Sequence, residues 1–148
     1  MRIRAAAILI QNNSLALMER HRAGMHYFAF PGGGMDAGET PEQAVVREVR
    51  EELGIEVRVL RLAAEVWFRG NQQFFFLVEQ TGGEFGTGAG EEFAPDHDPA
   101  RGTYEPVWMP LGQVTVQNVL PKPVAALTAK SHPNAWPVEP PVIMEDGK

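Results

Sequence analysis

The sequence predicts an α/β fold, and three observations carry that prediction. Segments rich in aliphatic and aromatic residues read as strands, a capped amphipathic helix is expected over residues 41–53, and a second helix is expected near residues 121–130. With 148 residues the chain is of one-domain size and long enough to bury a sizeable core, and it shows no internal repeat.

Taken in order, residues 2–10 and 14–19 read as strands joined by the turn-prone pair Asn12-Asn13, a hairpin whose strands both belong in the sheet. The charged start and apolar residues 5–10 superficially resemble a signal peptide, but the run stops at Gln11, so a first strand is the better reading. Phe28-Ala29-Phe30 alternates large and small residues and delivers the chain to a glycine turn, Pro31-Gly32-Gly33-Gly34. Beyond the first helix, residues 56–68 are aliphatic and residues 73–78 phenylalanine-rich, and Arg69-Gly70-Asn71 between them marks a second hairpin. Phe74, Phe75 and Phe76 read as sheet core rather than as a ring-stacking platform. Residues 82–102 turn to glycine, acids and prolines without a sustained period, the mark of a long loop of the kind that often carries function. A strand returns at 104–109, and the second helix follows. After Ser131 come Pro133, Pro137, Pro140 and Pro141, so residues 131–148 are expected to form an irregular or extended tail.

Composition narrows the function. A formal net charge of −6 argues against a surface that coats nucleic acid but is compatible with small phosphorylated ligands. Without cysteine there are no disulfides, thiolate zinc sites or cysteine nucleophiles. The only serines are Ser14 and Ser131, and neither sits in a G-x-S-x-G elbow, which makes a serine hydrolase a poor reading. Nothing approaches the roughly 20 apolar residues that span a bilayer, so a soluble cytoplasmic protein with no membrane contact is expected.

The chemistry concentrates in residues 33–55. Thr40 and Gln43 form a capping-box pair, Pro41 suits the first helical position, and Gly54 suits the left-handed residue past a helix end. At about 100° per residue, Val45, Val46, Val49 and Leu53 share one side, while Glu48, Glu51 and Glu52 cluster on a neighbouring arc. Two readings of that cluster compete: a solvated face partly neutralised by Arg47 and Arg50, or a site for a hard divalent cation. The glycine turn just before the helix, which frees backbone carbonyls to approach an ion, favours the second. Asp96-His97-Asp98 is a rival set of ligands, more readily read as a surface loop.

Gly33, Glu39, Arg47, Glu48, Val49, Glu51, Glu52, Gly54 and Ile55 satisfy G-x5-E-x7-R-E-U-x-E-E-x-G-U, with U aliphatic, and this resembles the box of the Nudix hydrolases, in particular their MutT branch. The resemblance extends over most of residues 2–130, through the aromatic-x-apolar-Pro-Gly-Gly lead-in and the late segment Trp108-Met109-Pro110-Leu111; Phe28 stands where tryptophan is common. It implies an α/β/α sandwich with a mixed central sheet, a catalytic domain over residues 1–130 and a proline-rich C-terminal tail. It also implies Mg²⁺-dependent hydrolysis of a nucleoside diphosphate linked to another group, by attack of water on phosphorus, with Mn²⁺ as a substitute ion.

Carried over by position, Glu48, Glu51 and Glu52 become metal ligands with the Gly32 carbonyl beside them. Arg47 orients the glutamates, Glu51 and Glu52 are catalytic, and Glu39 supports the loop. The family often recruits a further carboxylate from outside the box, for which Glu91 and Glu92 are the candidates. Arg20 and Arg22, with His21 and His26, are placed to meet substrate phosphates or to lie in a solvated loop, and Phe28 is placed beside the substrate. The expected partner is a small nucleotide and no long nucleic acid, although an RNA 5′ end is a third, less favoured substrate. Trp136 and Ile143 are the candidate contacts of a homodimer. The alternative from another class is a Nudix-fold module that senses a nucleotide or ADP-ribose without cleaving it. Such modules lose box carboxylates, and this chain keeps all of them. Substrate markers beyond the box are absent: Gly70-Asn71 and Gln72-Gln73 stand where other branches carry proline or tyrosine. Asn118 reads either as a base contact or as a turn cap.

Overall fold

The computed structural model describes residues 2–88 and 99–145. In chain order these form β1 (Ile3–Ile8), β2 (Ile10–Gln11), β3 (Ser14–Arg22), β4 (Met25–Ala29), β5 (Gly32–Gly34), α1 (Pro41–Leu53), β6 (Ile55–Phe68), β7 (Asn71–Gly83), β8 (Thr103–Pro110), β9 (Val119–Leu120), α2 (Lys122–Ser131) and β10 (Val142–Glu145). No helix among the described residues is long and apolar enough to cross a membrane.

The strands form two sheets. One has the order β10-β6-β7-β1-β5; the other runs β2-β3-β4-β9, with β8 on the free side of β3. The first is mixed, since β1 runs parallel to β7 and β10 parallel to β6 while the other pairs are antiparallel. The expected α/β/α layering is present. Ala6 and Ile8 of β1 face a core closed by Val124, Ala125 and Leu127 of α2, and Ala5, Ala7 and Leu9 face one closed by Val45, Val49 and Leu53 of α1. Alternate residues of one strand therefore supply two cores, as period-two geometry requires of a strand buried on both faces.

Three expectations change. Residues 2–10 are not one strand of a hairpin: β1 stays in the first sheet, and the chain crosses at Leu9 so that Ile10 and Gln11 pair with Leu15 and Ser14 in the second. Asn12 and Asn13, both left-handed, close that short hairpin as expected. Second, Pro31 to Gly34 is not a turn alone, because Gly32–Gly34 pairs antiparallel with Arg4, Ala5 and Ala6. A Cβ on Gly32 would lie 2.3 Å from the Ala5 carbonyl oxygen, so the two backbones meet only because Gly32 lacks a side chain. Third, the tail is not irregular throughout. Its prolines stop at Pro141, leaving residues 142–145 free to pair with Glu65 through Phe68, while Trp136 and Ile143 pack against the chain's own core.

The first helix forms over the residues expected. Thr40 Oγ1 accepts from the Gln43 amide at 3.1 Å, Gln43 Oε1 accepts from the Thr40 amide at 2.9 Å, and Gly54 is left-handed at φ 77°. Truncating such a cap typically costs about 1 kcal/mol. Phe75 is fully buried with Phe30 edge-on at 5.4 Å, and Phe76 is buried against the α1 side, so the phenylalanine run is core as read from the sequence.

Candidate active site

Strand β5 and helix α1 form one wall of a cavity of about 810 Å³. Packing Val45, Val49 and Leu53 beneath the sheet turns the glutamate arc of α1 toward β5. The Gly32 amide donates to Glu52 Oε1 at 2.6 Å, and Glu52 is only 7% exposed. A Cβ on Gly33 would stand 2.5 Å from the Glu48 carboxyl carbon, so the strand leaves room for that carboxylate and little else.

Arg47 ties the wall together. Its Nε and Nη2 donate to the two Glu39 oxygens at 2.7 and 3.0 Å, Nη1 donates to Glu48 at 2.9 Å and Glu51 at 3.3 Å, and Nη2 also donates to the Gly34 carbonyl at 3.0 Å. Its planar fork satisfies this geometry; a lysine ammonium has no equivalent. The Arg47 hydrogen bonds hold the Glu39 carboxyl below its ordinary value, aided by the Asp36 amide that donates to it at 2.9 Å. Glu39, in turn the largest influence on Arg47, raises that guanidinium further above its ordinary value. Glu39 therefore fastens the loop before the helix to the guanidinium.

The facing side is cationic. Arg2, Arg4, Arg20, Arg22 and Arg101 line the same cavity, with Tyr104. Arg20 is held in place: Nε donates to the Thr103 carbonyl at 3.0 Å, Nη2 to the Arg101 carbonyl at 2.6 Å, and the guanidinium lies 3.6 Å over the Tyr104 ring. Burial, and next Arg2, lowers the Arg4 guanidinium from its ordinary value, while Glu52 and Glu48 oppose that shift. With Arg47 the lining holds six arginines against the four carboxylates of Asp36, Glu48, Glu51 and Glu52. That surplus of positive charge fits a polyanionic ligand.

Of the residues singled out from sequence, Gly32, Arg47, Glu48, Glu51, Glu52, Arg20 and Arg22 are brought together in this lining. The Gly32 contact seen here is through its amide, not its carbonyl. Phe28 is not in the lining. It packs against the α2-side core, while the two residues after it, Ala29 and Phe30, line the cavity. His21 and His26 are strand residues of the β3–β4 hairpin rather than loop residues, and they face away from Arg20 and Arg22. Asn118 donates to the His26 carbonyl at 3.3 Å and is not in the lining. Glu91, Glu92 and Asp96-His97-Asp98 lie outside the described residues.

Sequence reading missed Arg2, Arg4, Arg101 and Tyr104. Arg2 and Arg4 carried a usable signal, two cations at period two leading into an apolar strand, but they were read only as a charged N-terminus. Arg101 and Tyr104 reach the site through the β3–β8 pairing and carry no local signal.

The oxygen-rich wall, with a glycine strand cradling Glu48, has the chemistry of a hard divalent cation site, and Glu48, Glu51 and Glu52 are residues that could hold the ion.

The NUDIX domain family model matches residues 1–133, and the chain belongs to that family. An RNA pyrophosphohydrolase of Yersinia enterocolitica is 30% identical over 126 residues, 72% of this chain and 71% of that protein. One of Psychromonas ingrahamii is 44% identical over 57 residues, a match spanning 38% of this chain and only 32% of that protein. Among solved structures, an ADP-ribose pyrophosphatase of Streptococcus suis superposes with a TM-score of 0.66 at 20% identity, covering 97% of this chain and 98% of that one, a likeness of fold. Family and relatives together define the class: a hydrolase of nucleotide pyrophosphate bonds.

Proposed function

We propose that the chain is a Mg²⁺-dependent nucleotide pyrophosphohydrolase that cleaves a nucleoside diphosphate linked to another group by attack of water on phosphorus. The observation that carries this reading is the facing of two walls across one cavity, carboxylates on α1 and arginines on β1 and β3. A diphosphate resists nucleophiles because its oxygens are anionic. Bound at Glu48, Glu51 and Glu52, Mg²⁺, or Mn²⁺ in its place, would neutralise phosphate charge and lower the pKa of a bound water. Arg47 holds Glu48 and Glu51 turned toward the cavity. Arg20, Arg22 and Arg4 bind and orient the phosphates, supplying charge that needs no reorganisation during the reaction. A carboxylate takes the proton of the attacking water, from Glu51 or Glu52 in the wall or from Glu91 or Glu92 in the segment before β8. No covalent intermediate is required.

The names of the sequence relatives favour a second substrate, the 5′ end of an RNA. The acidic balance of the whole chain opposes it, but the local arginine surplus weakens that objection. A panel of nucleoside triphosphates, nucleotide sugars, ADP-ribose, dinucleoside polyphosphates and 5′-triphosphorylated RNA, assayed with Mg²⁺, separates the readings. Mononucleotide derivatives should turn over fastest. Preference for RNA would favour the second reading, and binding without turnover across the panel would favour a sensor.

A further inference from the structure

We propose a second metal site, for a transition-metal ion of the zinc class, formed by Glu19, His21 and His26 on the face of the β3–β4 hairpin opposite the cavity. Antiparallel pairing sets His21 directly across from His26, and Glu19 lies two residues before His21 on the same face. The two imidazoles are stacked with centroids 4.3 Å apart and planes within 4°, so one exposed ring turns out of the stack for both nitrogens to face a single ion. His26 Nε2 is 2.6 Å from Glu19 Oε2, and one ligand atom from each of the three residues lies within 4.8 Å of the others. A metal held by these three atoms would replace the direct contact between His26 and Glu19.

The donor set decides the ion. Two imidazole nitrogens and one carboxylate suit Zn²⁺ with an open position for water, whereas Mg²⁺ demands an oxygen shell. Glu105 of β8 is the register partner of Glu19 on the other flank of β3, which places a further acidic residue on the same face of the sheet and makes that face favourable to a cation. His21 Nδ1 also lies 3.5 Å from Thr103 Oγ1, which links the cluster to β8. The same hairpin presents Arg20 and Arg22 to the cavity from its other face, so a metal here clips the strands that position those arginines.

The test is a titration of the untagged full chain with Zn²⁺ in excess Mg²⁺, followed calorimetrically, with Co²⁺ absorption as a report on nitrogen ligation. The proposal expects one equivalent of Zn²⁺ bound and a visible Co²⁺ band. Both should survive Glu52→Gln, and His21→Gln and His26→Gln should each weaken binding at least about tenfold, the lower bound for disturbing a metal's surroundings. Because His21 and His26 are exposed, circular dichroism should show unchanged folding for their variants. No uptake in the presence of Mg²⁺, uptake unchanged in the His21→Gln/His26→Gln double variant, or uptake abolished by Glu52→Gln would overturn it.

Discussion

The two walls of the cavity differ in how the chain supplies them. The carboxylate wall comes from one continuous stretch, β5 through α1, and is cross-linked by a single arginine to Glu39, Glu48, Glu51 and Gly34. The arginine wall is gathered from β1, β3 and the segment leading into β8: β3–β8 pairing sets Arg20 beside Arg101, and Arg4 joins them from the other sheet. The reactive side is thus encoded locally and the substrate side non-locally. A fold built this way can keep its chemistry while its arginine side is altered one strand at a time.

If that division is right, the walls should respond differently to substitution. The largest effect is expected from Glu52→Gln, which keeps the bond from the Gly32 amide but removes the anionic ligand: turnover should fall by roughly two orders of magnitude or more, beyond what outer-shell changes cost. Near-normal turnover in a folded variant would remove the metal assignment. Arg47→Lys should follow, with a loss of roughly tenfold to a hundredfold, because an ammonium cannot span Glu39, Glu48 and Gly34 together. Its loss should appear in kcat, and added Mg²⁺ should partly restore it if the guanidinium acts by turning the ligands. A variant insensitive to Mg²⁺ concentration would instead place Arg47 on the substrate.

The same division explains what the sequence revealed. Helix α1 was legible to the residue because its determinants, Thr40, Pro41, Gln43 and Gly54, act on their own neighbours. Its glutamates were legible because three- and four-residue spacings convert directly into a shared face. Strand β5 was hidden, since three glycines carry no strand propensity and the pairing with Ala5 and Ala6 rests on the missing side chain of Gly32. The tail strand was hidden for a similar reason, as its partner β6 lies some seventy-five residues away and proline density dominated the reading. Arg4 was visible as a residue but not as a site residue, because its role depends on which face of β1 meets α1. Phe28 lies one residue short of the lining, which Ala29 and Phe30 reach, and nothing in the local sequence marks where along the strand the cavity begins.

On the arginine wall, Arg20→Gln should act on binding. The guanidinium is anchored by two carbonyls and the Tyr104 ring, so it is already ordered when substrate arrives. Losing a hydrogen bond to a charged group costs about 1.5 kcal/mol, or roughly tenfold in KM, with kcat little changed. Steady-state kinetics check the split. An equal fall in kcat and kcat/KM would mean that Arg20 acts only in the transition state, which would make this wall catalytic and erase the distinction.

The smallest effect separates the walls by acid sensitivity rather than by kinetics. Glu39 is held below its ordinary value, first by its hydrogen bonds from Arg47 and then by the Asp36 amide. A carboxyl depressed in the folded state stabilises the protein fully above its unfolded value, about 4.3 for glutamate. That stabilisation disappears as pH falls through the lower folded value. Glu39→Gln has no proton to gain there. The stability gap between the native protein and this variant should therefore be widest at neutral pH and should close on acidification below about 4.3. Urea denaturation across an acid series measures it, and the corresponding gap for Arg20→Gln, whose guanidinium is anchored by two carbonyls and a ring, should stay flat over the same range. A Glu39→Gln gap that persists unchanged at the acid end would show that the carboxylate supports the loop by its shape and not by its charge.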